Sequence, residues 1–286
     1  MTGFKPLLAM GMEESEAARV LGVVAAAGDD PVDIAEAALA LSAYGDPEAR
    51  LAPYRAHLEI LADDVAKSAA GAASAADRAA ALNAVLIERW GYRGDEATYD
   101  SLENADLRRV IDRRKGLPVA LGILFMHAAR RQGWPVAGLN FPGHFLLRIE
   151  AGASRAIVDP FHGGEVVTVD GLRRLVKAAD GDLAELMPHH YQPVADREIL
   201  LRLQNNLRTR LFRAGDLKRT AFVTETMILM APSQTALWRE AGLLYAELGE
   251  VAPAISALER FLGASANNPA RHQAAALLQK LRSNVT

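Results

Sequence analysis

The chain has 286 residues, of which 50% are hydrophobic and 23% charged, a composition typical of a globular protein large enough for two domains. Its formal net charge of −3 shows no basic excess, so neither nucleic acid nor an anionic membrane surface is expected as a partner. The absence of cysteine excludes disulfides, thiolate nucleophiles and cysteine-ligated metals. No run of about 18 uncharged apolar residues occurs, so we predict a cytoplasmic protein without a membrane span.

Residues 1–92 are predicted to be helical. Apolar residues recur at helical spacing from Met12 to Ala27, and Pro31 suits the first turn of a second helix. A third helical stretch ends at Ala70, and Ser74 is a candidate N-cap for a fourth. We therefore expect a helical N-terminal region.

Residues 93–190 are predicted to contain helices in their first part and strands in their second part. After a short helix from Asn104 to Arg114, Pro118 opens a longer one to Arg131 that is apolar nearly all round, as expected of a buried central helix. Four β-rich segments separated by glycine and proline then predict a small antiparallel sheet packed on that helix: Val136 to Phe141, His144 to Glu150, Arg155 to Asp159, and Glu165 to Val169.

The last region, residues 196–286, is helical and repetitive. Gly215 and Gly249 stand in similar contexts 34 residues apart, which is the tetratricopeptide period. The second copy carries the aromatic and small residues of such a repeat at matching positions, namely Trp238, Gly242, Tyr245, Ala254 and Leu258. We predict two repeats followed by a capping helix that starts at residues 268–269.

The middle region also carries the order of groups found in thiol enzymes. In those enzymes a cysteine opens a buried helix, where the helix N-terminus lowers its pKa. A histidine on a neighbouring strand takes its proton, and an aspartate on the next strand orients the histidine. Here Gly116-Leu117-Pro118, Gly133-Trp134-Pro135, His144 and Asp159-Pro160 follow in that order.

This order resembles that of a transglutaminase-like (papain-like) core. The resemblance places the thiol position at Pro118, or at Ala120 if the register slips, and neither side chain is a nucleophile. It also implies that His144 and Asp159 are the remaining two catalytic positions.

The whole arrangement is more specifically similar to the SirB-type family, bacterial proteins in which a transglutaminase-like core precedes tetratricopeptide repeats. A related core occurs in a eukaryotic F-box protein. The resemblance covers roughly residues 80–280 and rests on four segments: Asn104 to Leu107, Arg113 to Pro118, Asn140 to Phe145, and Asp159 to Phe161 with Gly163-Gly164. It implies an α+β fold with a helical N-terminal region, a core with a small antiparallel sheet, and C-terminal helical hairpins.

Two interpretations of His144 and Asp159 remain open. They are either a general base with its orienting carboxylate, predicted to lie within hydrogen-bond reach, or a polar pair buried for packing. Further residues predicted to line the same cleft are Asn104, Arg113, Pro118, Ala120 and Asn140. Asn104 can instead be a helix cap and Arg113 a solvated charge.

No metal or cofactor is predicted. His189-His190 lacks carboxylates at ligand spacing, and no HExxH motif occurs. His162-Gly163-Gly164 is typical of a tight turn, although a turn beside the cleft could hold a ligand.

Two classes of function follow. The first is a non-catalytic or regulatory protein-interaction protein, whose repeats hold a partner protein or peptide or pack back on the core. The second is a cysteine-independent hydrolase or acyl transferase, in which His144 and Asp159 activate water or a substrate group. The missing cysteine favours the first class, and therefore a protein that is not an enzyme, while the retained histidine and aspartate keep the second open.

Overall fold

The computed structural model describes residues 15–46, 48–264 and 269–283. Its helices are α1 (Glu16–Ala27), α2 (Ile34–Ala43), α3 (Ala52–Ser68), α4 (Ala75–Asn83), α5 (Leu107–Arg113), α6 (Pro118–Arg131), α7 (Val169–Asp180), α8 (Asp196–Arg213), α9 (Leu217–Met230), α10 (Thr235–Glu247), α11 (Val251–Ala264) and α12 (Arg271–Ser283). Its strands are β1 (Arg93–Gly94), β2 (Lys115–Gly116), β3 (Val136–Leu139), β4 (Leu147–Ala151), β5 (Ser154–Asp159), β6 (Glu165–Val166) and β7 (Pro193–Val194). A π-helical turn, Ala84–Arg89, continues α4.

The predicted antiparallel sheet is confirmed. Five strands pair in the order β6-β5-β4-β3-β7, and each neighbouring pair is antiparallel. The strand predicted to open at His144 begins instead at Leu147, because residues 142–144 bend around Gly143, whose φ is +69°. His144 therefore lies just before β4 and not within it.

Helix α6 is the buried centre of the core, and its bounds agree with the prediction. Proline occupies its first turn, and every residue from Val119 to Ala129 is buried. The ring of Phe145 packs between Gly122 of α6 and Gly138 of β3. A methyl group on Gly122 would lie 2.7 Å from Phe145 Cδ1 and closer still to Cε1, and one on Gly138 would lie 2.8 Å from Phe145 Cζ. Both positions therefore need glycine.

The local helix signals are confirmed in part. Ser74 caps α4 through a reciprocal capping box with Asp77. The second helix begins after Asp33, not at Pro31, because the Asp33 carboxylate accepts the Glu36 amide and so forms the N-cap. The predicted starts at Met12 and at Asn268 lie outside the described residues.

The domain boundaries differ from the predicted limits of 1–92, 93–190 and 196–286. One compact unit runs from Asp29 to Leu203, and a second joins the described residues up to Gly28 to those from Gln204 onward. Helices α2 and α3 belong with the core because they pack on α6, and α4 packs on β4 and β5. Helix α1 belongs with the repeats because it packs on α9.

The repeat unit has the predicted helical hairpins. Gly215 and Gly249 adopt the same left-handed turn, with φ of +75° and +77°. Trp238 and Tyr245 are buried, as predicted. A methyl group on Gly242 of α10 would lie 2.7 Å from Leu258 Cγ of α11, so the small residue permits the close helix crossing. Within the described ranges, no helix is both long and apolar enough to cross a bilayer.

Candidate functional site

The turn that follows β5 is organised by the Asp159 carboxylate. Its Oδ1 accepts the amide N–H groups of Phe161 (3.0 Å) and His162 (3.3 Å), which closes an aspartate turn. Its Oδ2 lies 2.8 Å from His162 Nδ1. The two oxygens of one buried carboxylate therefore have different tasks, one holding the backbone and the other facing an imidazole.

Two glycines complete this turn. Gly163 and Gly164 both have positive φ, of +72° and +70°. At Gly164 a side chain would also overlap Asn83, whose Nδ2 donates to the Gly164 carbonyl oxygen at 2.5 Å. Only glycine meets both conditions at Gly164, so the motif after Asp159 has a backbone reason.

The predicted pair of His144 and Asp159 is brought together, but not by a hydrogen bond. His144 Nδ1 lies 4.0 Å from Asp159 Oδ2, beyond the 2.7–3.2 Å range of hydrogen bonds. The imidazole that does bond to Asp159 is His162. The rings of His144 and His162 are 6.2 Å apart between centroids, so one carboxylate oxygen faces two imidazoles.

Burial sets the charge state of His144. It lowers the pKa of His144 below its ordinary value, although the Asp159 carboxylate acts in the opposite direction, and His162 and Arg202 lower the pKa further. Arg202 also donates from Nη2 to the His144 carbonyl oxygen at 2.7 Å, and its guanidinium lies 5.5 Å from the Phe145 ring centre. His144 is therefore neutral at pH 7, and its backbone is fixed.

The start of α6 offers no nucleophile. Pro118 occupies the first turn and is half-buried, and Ala120 is completely buried. The start of α6 is nevertheless close in the fold to the Asp159 turn. Gly94 of β1 pairs with Gly116 of β2, and the Gly94 amide donates to the Phe161 carbonyl oxygen at 3.2 Å. This is the topology predicted for a thiol site, without the thiol.

Asn104 and Arg113 form a polar cluster with Asp95, a residue that lines the same pocket as His162. The completely buried Asn104 accepts from Arg113 Nη1 at 3.0 Å, and Arg113 Nη2 lies 2.9 Å from Asp95 Oδ2. The Thr98 hydroxyl, with the Thr98 amide, Arg113 and Asn104, lowers the pKa of Asp95 to about 2, although burial opposes this. These contacts give Asn104 a structural role next to a residue that lines the pocket.

A pocket of about 430 Å³ opens beside His162. Its lining includes His162, Phe161, Arg93 and Lys115. Asn140, predicted to line the cleft, is exposed, and its amide donates to the Gln192 carbonyl oxygen at 3.1 Å. The pocket is thus bordered by the Asp159 turn and by the strands before α6.

His162 is a site residue that the sequence indicated only as part of a turn. It stands three positions after Asp159. At this spacing an aspartate turn folds the chain back, so that the later side chain can contact the aspartate carboxylate. That signal was present in the sequence but is also typical of a plain turn. His162 is half-exposed, with 47% of its side chain accessible, so it can meet a solute directly.

The site can move protons or bind an ion, but the chain supplies no thiol. Asp159 fixes His162, and His144 places a second imidazole near the same oxygen. Asp159, His144 and His162 each offer one ligand atom, and these three atoms lie within 4.8 Å of one another. The geometry therefore fits general base chemistry or metal ligation.

Comparison with known proteins agrees with this architecture. Residues 52–205 match the model of the transglutaminase-like superfamily, and residues 207–282 match that of the tetratricopeptide repeat. A UPF0162 protein of Vibrio cholerae is 31% identical over 245 residues, covering 84% of this chain and 89% of that protein.

Two other relatives are matched over less of their length. A UPF0162 protein of Xylella fastidiosa is 32% identical over 186 residues, 64% of this chain and 66% of that protein. Protein SirB1 of Salmonella typhimurium is 26% identical over 168 residues, 58% of this chain and 62% of that protein. The chain thus belongs to the SirB-type family, in which a transglutaminase-like core is followed by tetratricopeptide repeats.

Proposed function

We propose that this chain is a protein-interaction protein that holds a partner peptide in its tetratricopeptide repeats. The observation that carries the proposal is an apolar cavity of about 550 Å³, which we call the repeat pocket. Pockets of this size are typical of specific ligand sites. The repeat pocket is lined by Arg208, Thr209, Phe212, Leu217, Thr220, Glu240, Leu243, Leu244 and Glu247.

Two large apolar side chains of the repeat pocket face solvent. Phe212 is 59% exposed and Leu243 is 44% exposed. Large apolar groups clustered at one concave place mark interaction sites more often than scattered ones do. Because the two side chains are each only about half-exposed, a peptide that buries both would gain about 1.5–3 kcal/mol from apolar burial before the entropic costs of binding.

The charged groups of the repeat pocket select the peptide. Glu240 is paired with Arg208, and Glu247 lies on the same helix, α10, seven positions later. We expect an apolar anchor side chain flanked by a basic residue, because such a segment matches both the pocket and its acidic rim.

Site-specific photo-crosslinking in the cells that encode the protein tests this proposal. A benzophenone amino acid at Leu243 should give a discrete protein adduct, and Phe212→Asp in the same chain should weaken the adduct by at least tenfold. Phe212 is exposed, so its substitution spares the fold. The matched control is the same probe at Val169, which is 56% exposed in the other unit.

Two results would contradict the proposal. One is an adduct pattern at Leu243 that equals the pattern at Val169. The other is an adduct that Phe212→Asp leaves unchanged, because the apolar anchor would then contribute nothing. The cytoplasmic location and the absence of nucleic-acid and membrane partners remain predictions from the sequence.

A second candidate function is a cysteine-independent hydrolase or acyl transferase. The specific observation in its favour is the 2.8 Å contact between Asp159 and the half-exposed His162, beside the 430 Å³ pocket. Such a dyad can deprotonate water, as an orienting carboxylate does for a general base. An amidase or esterase activity that resists iodoacetamide and is abolished by His144→Ala or His162→Ala would establish it. Activity that survives both substitutions would not come from this site.

A further inference from the structure

We propose that His144, Asp159 and His162 bind a divalent transition-metal ion, with Zn²⁺ as the probe. Two imidazoles and one carboxylate form a ligand set that suits zinc and similar first-row ions. No metal was predicted from the sequence, because these residues form no recognised ligand-spacing motif. The fold alone brings them together: His144 comes from the bend before β4, Asp159 from the end of β5, and His162 from the turn after β5.

The distances between ligand atoms are close to those that a metal requires. With metal–ligand bonds of about 2.1 Å, the ligand atoms of a tetrahedral site lie about 3.4 Å apart. Asp159 Oδ2 lies 2.8 Å from His162 Nδ1 and 4.0 Å from His144 Nδ1. The required value falls between these two, so changes of about 0.6 Å in each distance from Asp159 bring both nitrogens into range. All three ligand atoms already lie within 4.8 Å of one another.

The carboxylate is prepared for this role. Oδ1 of Asp159 is committed to the amides of Phe161 and His162, so the side chain is fixed and Oδ2 points at the two imidazoles. Hydrogen bonds to the second oxygen of a ligating carboxylate are the usual means of orienting it. A simpler interpretation is that Asp159 only caps the turn. That would explain the hydrogen bonds to Oδ1 and the contact with His162, but not why His144 lies near the same Oδ2 oxygen.

Access from solvent also suits a ligand site. His162 is half-exposed and borders the 430 Å³ pocket, so an ion can enter from that side. Three protein ligands leave a coordination position for water, the arrangement of catalytic rather than structural zinc sites. The inference does not depend on the proposed function of the repeats.

Titration of the full-length, tag-free chain with Zn²⁺ after chelator dialysis tests the proposal. Calorimetry should give one ion per chain, and His144→Ala, His162→Ala and Asp159→Asn should each weaken affinity at least tenfold. Asp159→Asn keeps an oxygen for the two turn amides. His162 is half-exposed, so His162→Ala is the variant expected to disturb the fold least. Thermal melts of each variant without metal verify this.

The control separates this site from surface histidines. His189 is exposed and stands beside His190, so His189→Ala reports on adventitious binding by that pair. Affinity should be unchanged by His189→Ala. The proposal is overturned by a stoichiometry well below one, by loss of binding in His189→Ala, or by binding that His162→Ala leaves intact.

Discussion

Adding one methyl group to Gly122 tests the packing that holds the residue next to His144. In Gly122→Ala the new Cβ would lie 2.7 Å from Phe145 Cδ1 and closer still to Cε1. Carbon atoms in contact prefer about 3.5–4.0 Å, so the ring must retreat by about 1 Å. It has no room to do so, because its opposite edge already lies against Gly138 and the ring is buried.

The expected cost follows from two opposing effects. Overpacking of a full core costs about 3 kcal/mol at the upper end of the usual range. Replacement of glycine by alanine inside a helix stabilises the helix by about 1 kcal/mol, because alanine has the higher helix propensity. The net loss is about 2 kcal/mol, which should lower the Tm by about 4–8 °C for a unit of this size.

Thermal and urea unfolding measure this loss, and a second substitution gives it a direction. Phe145→Leu removes the ring atoms that collide, so the double variant Gly122→Ala/Phe145→Leu should be more stable than the sum of its singles by about 1 kcal/mol. The matched control is Gly22→Ala in α1, where nothing lies within 4 Å and a small gain is expected. Additive singles, or a Gly122→Ala variant as stable as Gly22→Ala, would refute the packing argument.

Three further perturbations have defined outcomes. Asp196→Ala breaks a buried, bidentate ion pair and should cost about 3 kcal/mol in urea unfolding, whereas Asp29→Ala removes an exposed pair and should cost less than about 1 kcal/mol. Tyr245→Phe removes the hydroxyl that hydrogen-bonds the fully buried Glu225 and should cost about 1–3 kcal/mol by the same measurement. The folded-state pKa of Asp95, about 2, lies below its unfolded value near 4, so its stabilisation is complete above about pH 4 and disappears towards pH 2. Asp95→Asn should flatten that part of the acid-unfolding profile.

Strong local signals in the sequence predicted the fold well. Proline at the start of α6 and apolar residues on all its faces fixed both its bounds and its burial. The 34-residue interval located two turns with the same backbone geometry at Gly215 and Gly249. The compact units divide the N-terminal region differently, because periodicity shows that a helix has an apolar face but not which partner covers it. Helix α1 is covered by α9, far away in the sequence.

The candidate site was only partly predictable. The order of motifs along the chain predicted that His144 and Asp159 lie close together. It could not predict whether their side chains form a hydrogen bond or only approach to 4.0 Å. His162 forms this hydrogen bond instead, because the turn places its ring beside the Asp159 carboxylate. Asn104 and Arg113 pair with Asp95, which itself lines the pocket beside His162, because buried polar groups pair with the nearest complementary group.

The junction between α5 and β2 is held by a side chain against the preference of its own backbone. Arg114 has φ of +59°, in the left-handed region, where a non-glycine residue is destabilised by about 1–2 kcal/mol. Its guanidinium lies 5.0 Å from the Trp90 ring centre and 4.8 Å from that of Tyr92. These cation–π contacts stabilise the fold by an amount similar to the backbone cost. Glycine at this position would relax the backbone and remove the anchor at once. The entry into the central helix is therefore set by aromatic rings more than twenty residues earlier in the chain.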